Sequence, residues 1–142
     1  SNNLARVEIE DGTIGLHCLC RSSVDSEKND HANSIACAFG LAGLQTEFSG
    51  QYPGWMPNPS SAIVATMKEL YEEKYNESPR VIACHAGLEC GILGTNYPEM
   101  DMVSFGPNIR GAHSPDECVQ ISSVQKFWEF FLEALQRIPN QP

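Results

Sequence analysis

The chain has 142 residues, 42% of them apolar, and a formal net charge of −9. That is one ordinary domain with enough apolar content for a core. Its nine Lys and Arg residues form no run, which argues against a nucleic-acid partner, because phosphate binding needs clustered cations. No stretch approaches the roughly 18 apolar residues of a membrane helix, and no basic start followed by an apolar run and cleavage site suggests a secretory signal.

Residues 4–10 alternate apolar and polar, Asp11-Gly12 is a hairpin turn signal, and residues 13–21 alternate again through Ile14, Leu16, Cys18 and Cys20. This predicts a hairpin with one buried face and with His17 on the outward side. Asp25 or Ser26 can cap a helix running to about Leu44, with Ala32, Ile35, Ala36 and Phe39 on one side and His31 at the surface. Residues 45–49 read as a short strand. Residues 51–61 hold Pro53, Gly54, Pro57 and Pro59, so they form a connection rather than a helix or central strand.

An amphipathic helix is predicted over residues 60–75, with Ile63, Met67, Leu70, Tyr71 and Lys74 at three-to-four spacing. Residues 80–84 read as an apolar strand, 87–93 as the opening of a short helix, and 100–105 as a second buried strand. A final helix over residues 123–137 carries a broad apolar face of Val124, Phe127, Trp128, Phe131, Leu132 and Leu135. Strands alternating with helices imply an α/β layer with partly parallel strands. Two strands make a poor sheet core, so either this second part pairs with strands from elsewhere or the chain is part of a larger protein, the second reading carrying more weight.

Six cysteines are present and none forms a Cys-x-x-Cys pair. Most sit among apolar neighbours and read as buried reduced thiols, which points to the cytoplasm; a disulfide set and a thiolate metal site are the alternatives.

His85 and His113 each follow a predicted strand and sit in Gly-rich segments, where a ligand can approach the backbone. Either can be a metal ligand, His113 the better of the two, or a loop histidine bonded to its own backbone. Glu89 falls at the start of a short helix, whose dipole keeps a carboxylate ionised; it reads as a ligand, a substrate contact or a simple first-turn residue. Asp116 and Glu117 lie in a turn after Ser114-Pro115. Arg110 can grip a carboxylate through two parallel hydrogen bonds, or lie at the surface. A hydrolytic metal centre needs several ligands, an open position and a general base, and the spacing alone assembles no such set. No Gly-x-Ser-x-Gly, phosphate-binding loop, dinucleotide fingerprint or His-Glu-x-x-His occurs.

Five segments carry a resemblance. They are Arg21-Ser-Ser-Val-Asp-Ser26, Tyr52-Pro-Gly-Trp55, His85-Ala-Gly-Leu-Glu-Cys-Gly91, Met100-Asp-Met-Val-Ser-Phe-Gly-Pro107 and Gly111-Ala-His-Ser-Pro-Asp-Glu117. Together they resemble the C-terminal part of the aminoacyl-histidine dipeptidases, in that family's order and over nearly the whole chain. Gly-Ala-His-Ser-Pro by itself is similar to the wider group of two-zinc aminopeptidases, carboxypeptidases and deacetylases. The resemblance implies an α/β fragment: residues 1–50 as the second half of a small α+β lid that mediates dimerisation, and residues 51–142 as the C-terminal part of the catalytic domain. It implies hydrolysis of Xaa-His dipeptides, carnosine-like ones included, with two zinc ions, or manganese or cobalt in their place.

In that family the histidine matching His113 is a metal ligand. The bridging aspartate, the general base and a lid histidine fall outside this chain, which implies no catalytic residue here and no activity for the chain alone. Glu89 and Arg110 fall near the substrate pocket. A homodimer through the lid is implied, with a small dipeptide as substrate and neither nucleic acid nor membrane as partner. The rival readings are a non-catalytic binding or dimerisation module of the same fold, and a related deacetylase or carboxypeptidase.

Overall fold

A computed structural model describes residues 1–85 and 88–138. Its elements run β1 (Asn2–Glu10), β2 (Thr13–Cys20), α1 (Asp25–Leu41), α2 (Ala62–Tyr75), α3 (Glu89–Asn96), β3 (Ile109–Arg110), β4 (Cys118–Val119) and α4 (Ile121–Arg137). The chain divides into two compact units, one of residues 1–57 and 82–100, the other of residues 58–81 and 101–142. Helices accompany two small sheets, as expected of an α/β fragment. Both sheets are antiparallel and two-stranded, so the partly parallel layer does not form among the described residues.

In the first unit, β1 and β2 pair from Asn2↔Cys20 to Glu10↔Thr13, with a register shift between Leu4 and Arg6. Asp11 (φ 49°) and Gly12 (φ 78°) both take the left-handed conformation that a tight hairpin turn requires. His17 is exposed as expected, its Nε2 2.8 Å from Glu8 Oε2. The buried face forms only at its Cys18–Cys20 end, where both cysteines are half-buried; Leu4, Val7, Ile9 and Ile14 are all more than half exposed, because among the described residues no element covers these four side chains.

Helix α1 keeps the expected face, with Ala32, Ile35, Ala36 and Phe39 half-buried and their neighbours exposed. Its start differs from expectation. The N-cap is Val24, which makes no side-chain cap bond. Asp25 instead accepts from Lys28 Nζ (2.6 Å) and from the backbone N–H of Gly54 (2.9 Å), and Lys28 also donates to the Tyr52 carbonyl. These bonds dock residues 52–54 onto the start of α1. The contact needs glycine: a β-carbon on Gly54 would lie 2.6 Å from the Ser23 carbonyl oxygen, and one on Gly91 of α3 would lie 2.7 Å from the Pro53 oxygen. Three of the segments singled out in the sequence therefore stack backbone on backbone. The Lys28 donor favours the Asp25 carboxylate first and the Gly54 N–H second, and both hold its pKa below the ordinary aspartate range.

In the second unit, Ser61 caps α2 by accepting from the Val64 N–H at 3.2 Å. Asp101 adds a second acceptor, 3.0 Å from the Ile63 N–H. The core of this unit is Met67, Leu70, Phe130 and Ala134, with Ile63, Tyr71, Tyr75 and Val103 packed against it. Phe105 meets Phe127, Phe130 and Phe131 at centroid distances of 5.3–6.2 Å. Ion pairs Lys74–Glu133 and Arg137–Glu73 tie α2 to α4 at the rim. The apolar face of α4 is broader than its cover: Val124, Trp128, Leu132 and Leu135 stay exposed.

Residues 45–49, 80–84 and 100–105 form no strand. A strand belongs to a ladder, and the ladders of the described residues are β1–β2 and β3–β4; Val81 and Ile82 are 62% and 71% exposed. The short helix begins at Glu89, and Gly87, where its start was expected, lies outside the described residues. The cysteines are less buried than expected. Cys37, Cys84 and Cys118 are exposed, and Cys18, Cys20 and Cys90 half-buried. Among the described residues no helix is long and apolar enough to cross a membrane.

Candidate functional site

The loop carrying His113 is built by a two-rung hairpin. Ile109 pairs with Val119 and Arg110 with Cys118, and the Gln120 N–H extends the ladder to the Asn108 carbonyl at 3.0 Å. The hairpin is fastened to the start of α4, where Ser123 Oγ accepts from the Asn108 N–H (2.9 Å) and donates to the Gln120 carbonyl (2.7 Å). Between the rungs, residues 111–117 fold on themselves. The Gly111 carbonyl accepts from both the Ser114 N–H (3.0 Å) and the Ser114 hydroxyl (2.7 Å). Asp116 N–H donates to Ser114 Oγ at 3.3 Å, and Glu117 N–H to the Ser114 carbonyl at 3.1 Å.

His113 stands in this loop with φ 65°, in the left-handed region that few residues bearing a β-carbon adopt. Its backbone N–H donates to Glu117 Oε2 at 2.8 Å. Of the two turn carboxylates, Glu117 thus grips the backbone of His113. No hydrogen bond engages the His113 ring among the described residues, and the side chain is exposed. A neutral imidazole so placed can offer a nitrogen to a metal ion.

Arg110 belongs to the same unit, in β3. It is exposed, pairs with no carboxylate among the described residues, and borders a shallow depression with Cys118, Val119 and Gln120. Glu89 and His85 belong to the other unit. Glu89 is exposed in the first turn of α3, and His85 is exposed just before residues 86–87, which lie outside the described residues.

Among the described residues no group of three or more His, Cys, Asp or Glu side chains is arranged to hold a metal ion. His113 has the chemistry of one ligand, and the described residues place no second and third ligand beside it. The residues that spacing did not reveal are Lys28, whose short interval from Asp25 was the available signal, and Asp101, whose capping bond spans 38 positions and left no local signal.

Residues 7–137 match the family described as Peptidase family M20/M25/M40. The chain belongs to this family. His85, Glu89, Arg110 and His113 all fall within the matched stretch. Peptidases of the M20 family are generally metal dependent. The chain is also 46% identical over 140 residues to the Cytosol non-specific dipeptidase of Escherichia coli (strain K12), an alignment covering 98% of this chain and 29% of that protein. The chain thus spans less than a third of the curated relative it matches.

Proposed function

We propose that this chain is the C-terminal portion of a metal-dependent dipeptidase that hydrolyses Xaa-His dipeptides of the carnosine kind. The observation that carries the reading is the 46% identity, over nearly the whole chain, to a protein named as a dipeptidase. The exposed, unengaged His113 ring in its folded loop supports it. In this reading His113 is one ligand of a zinc pair, with manganese or cobalt as possible substitutes. Arg110 grips the substrate carboxylate as a two-pronged donor, and Glu89 lines the substrate wall. The general base and the remaining ligands come from outside this chain. When bound, the metal pair would supply Lewis acidity at the scissile carbonyl. Residues 1–50 then form the second half of a lid through which two copies pair, residues 51–142 belong to the catalytic domain, and the protein works in the cytoplasm.

The word "non-specific" in the relative's name favours a second reading of the substrate, a broad set of dipeptides with Xaa-His among them. The test is a panel run on the full-length protein: Xaa-His dipeptides, histidine-free dipeptides, tripeptides and N-acetyl amino acids, each with and without a chelator. The proposal expects Xaa-His hydrolysis that chelation abolishes and zinc restores. Equal kcat/KM on histidine-free dipeptides would establish the broader set. Turnover of N-acyl substrates alone would make the protein a deacetylase, and no turnover at all would favour a binding module.

A further inference from the structure

We propose that Glu117 is a positioning residue whose carboxylate holds the His113 backbone in its left-handed conformation and so fixes where the imidazole stands. A β-carbon makes that conformation unfavourable, so something in the loop must compensate for it at φ 65°. The bond that does so runs from the His113 N–H to Glu117 Oε2, 2.8 Å, a charge-assisted bond stronger than a neutral one. The acceptor is itself fixed. Glu117 donates its own N–H to the Ser114 carbonyl and directly precedes Cys118, which is paired to Arg110 in the ladder. Little slack remains beneath the loop, since a β-carbon on Gly111 would lie 3.0 Å from Ser114 Oγ and 3.3 Å from the Asp116 carbonyl oxygen.

Releasing the N–H lets φ return to the ordinary negative range, a rotation of more than roughly 100°. That turn redirects the Cα–Cβ bond and carries the ring away from its present place. A carboxylate four residues downstream thus acts on the ring through the main chain, without touching it. The consequence for metal binding rests on the reading of His113 as a ligand; the consequence for the backbone does not.

The experiment compares the full-length protein with its Glu117→Ala, Glu117→Gln and His113→Ala variants, using two readouts. One is hydrogen exchange of the His113 amide after selective 15N-histidine labelling, its signal assigned by its loss in His113→Ala. The other is the zinc dissociation constant by competition with a chromogenic chelator. Glu117→Ala is expected to speed exchange of that amide by up to about tenfold and to weaken zinc binding by about 10–100-fold. Glu117→Gln, which keeps an acceptor oxygen, is expected to recover most of both. Should alanine prevent folding, Glu117→Asp replaces it, with the carboxylate withdrawn by one methylene and the same fast exchange expected. Unchanged amide exchange without the carboxylate, or glutamine behaving as alanine does, overturns the proposal. Zinc binding undiminished in His113→Ala overturns the ligand reading instead, and the exchange readout still decides the role of Glu117.

Discussion

Replacing Gly54 by alanine puts a methyl group against the main chain of the turn before α1. The added carbon would lie 2.6 Å from the Ser23 carbonyl oxygen, 2.7 Å from its carbon and 2.9 Å from the Ser22 oxygen. Even favourable carbon–oxygen contacts settle at roughly 3.3–3.6 Å, so the two segments must part by about 0.7 Å or more. No flexible side chain can absorb that movement, because both partners are backbone. Forced separation of this kind costs about 1–3 kcal/mol. It also pulls on the Gly54 N–H bond to Asp25 and the Lys28 bond to the Tyr52 carbonyl, each contributing about 0.5–1.5 kcal/mol net. A loss of about 2–4 kcal/mol should lower Tm by roughly 5–15 °C. Urea unfolding followed by tryptophan fluorescence reads it, since Trp55 is the next residue and is half-buried. Gly40→Ala is the control. Nothing lies within 4 Å of its β-carbon, and alanine in a helix is favoured over glycine by up to about 1 kcal/mol, so that variant should be slightly more stable. A Gly54→Ala protein as stable as the wild type, or both variants shifting together, would refute the stacked-backbone account.

Two further outcomes follow from the second unit and from the site. The Ile63 N–H, and after it the Ser61 hydroxyl, hold the Asp101 pKa below the ordinary aspartate value. A depressed carboxylate stabilises the fold above its unfolded pKa of about 3.9 and loses that contribution as pH falls through the folded value. Asp101→Asn should therefore cost about 0.5–1 kcal/mol at pH 7, a modest figure because the group is exposed. The difference from wild type should shrink below about pH 4 in denaturant titrations; a gap independent of pH would contradict the capping role. The purified 142-residue chain should show no zinc-dependent hydrolysis of a Xaa-His dipeptide, because the proposed reading draws the general base and the remaining metal ligands from outside this chain. Turnover near that of the full-length protein would contradict this.

What the sequence made legible was local. The β1–β2 hairpin could be read because both strands and the Asp11-Gly12 turn lie within 20 residues, and the half-buried stripe of α1 follows from helical period alone. The missing strands mark the opposite case. Apolar runs at 80–84 and 100–105 report that a segment seeks cover, but a ladder also needs a partner, and periodicity carries no information about one. Val103 and Phe105 find their cover on helices instead. The unused apolar stripe of α4, at Trp128, Leu132 and Leu135, shows the same limit. At the site, Gly and Pro punctuation located the His113 loop. It did not reveal that His113 itself takes positive φ, and that conformation turns its N–H, not its ring, toward Glu117.

The role of His113 is tested most directly by metal content. Full-length protein is dialysed after zinc loading, and zinc per chain is measured by elemental analysis in the wild type, His113→Ala and His85→Ala. The account predicts that His113→Ala loses zinc and nearly all dipeptidase activity. His85→Ala should retain its metal, with any loss confined mainly to substrate binding. Full zinc occupancy in the His113 variant would contradict the account.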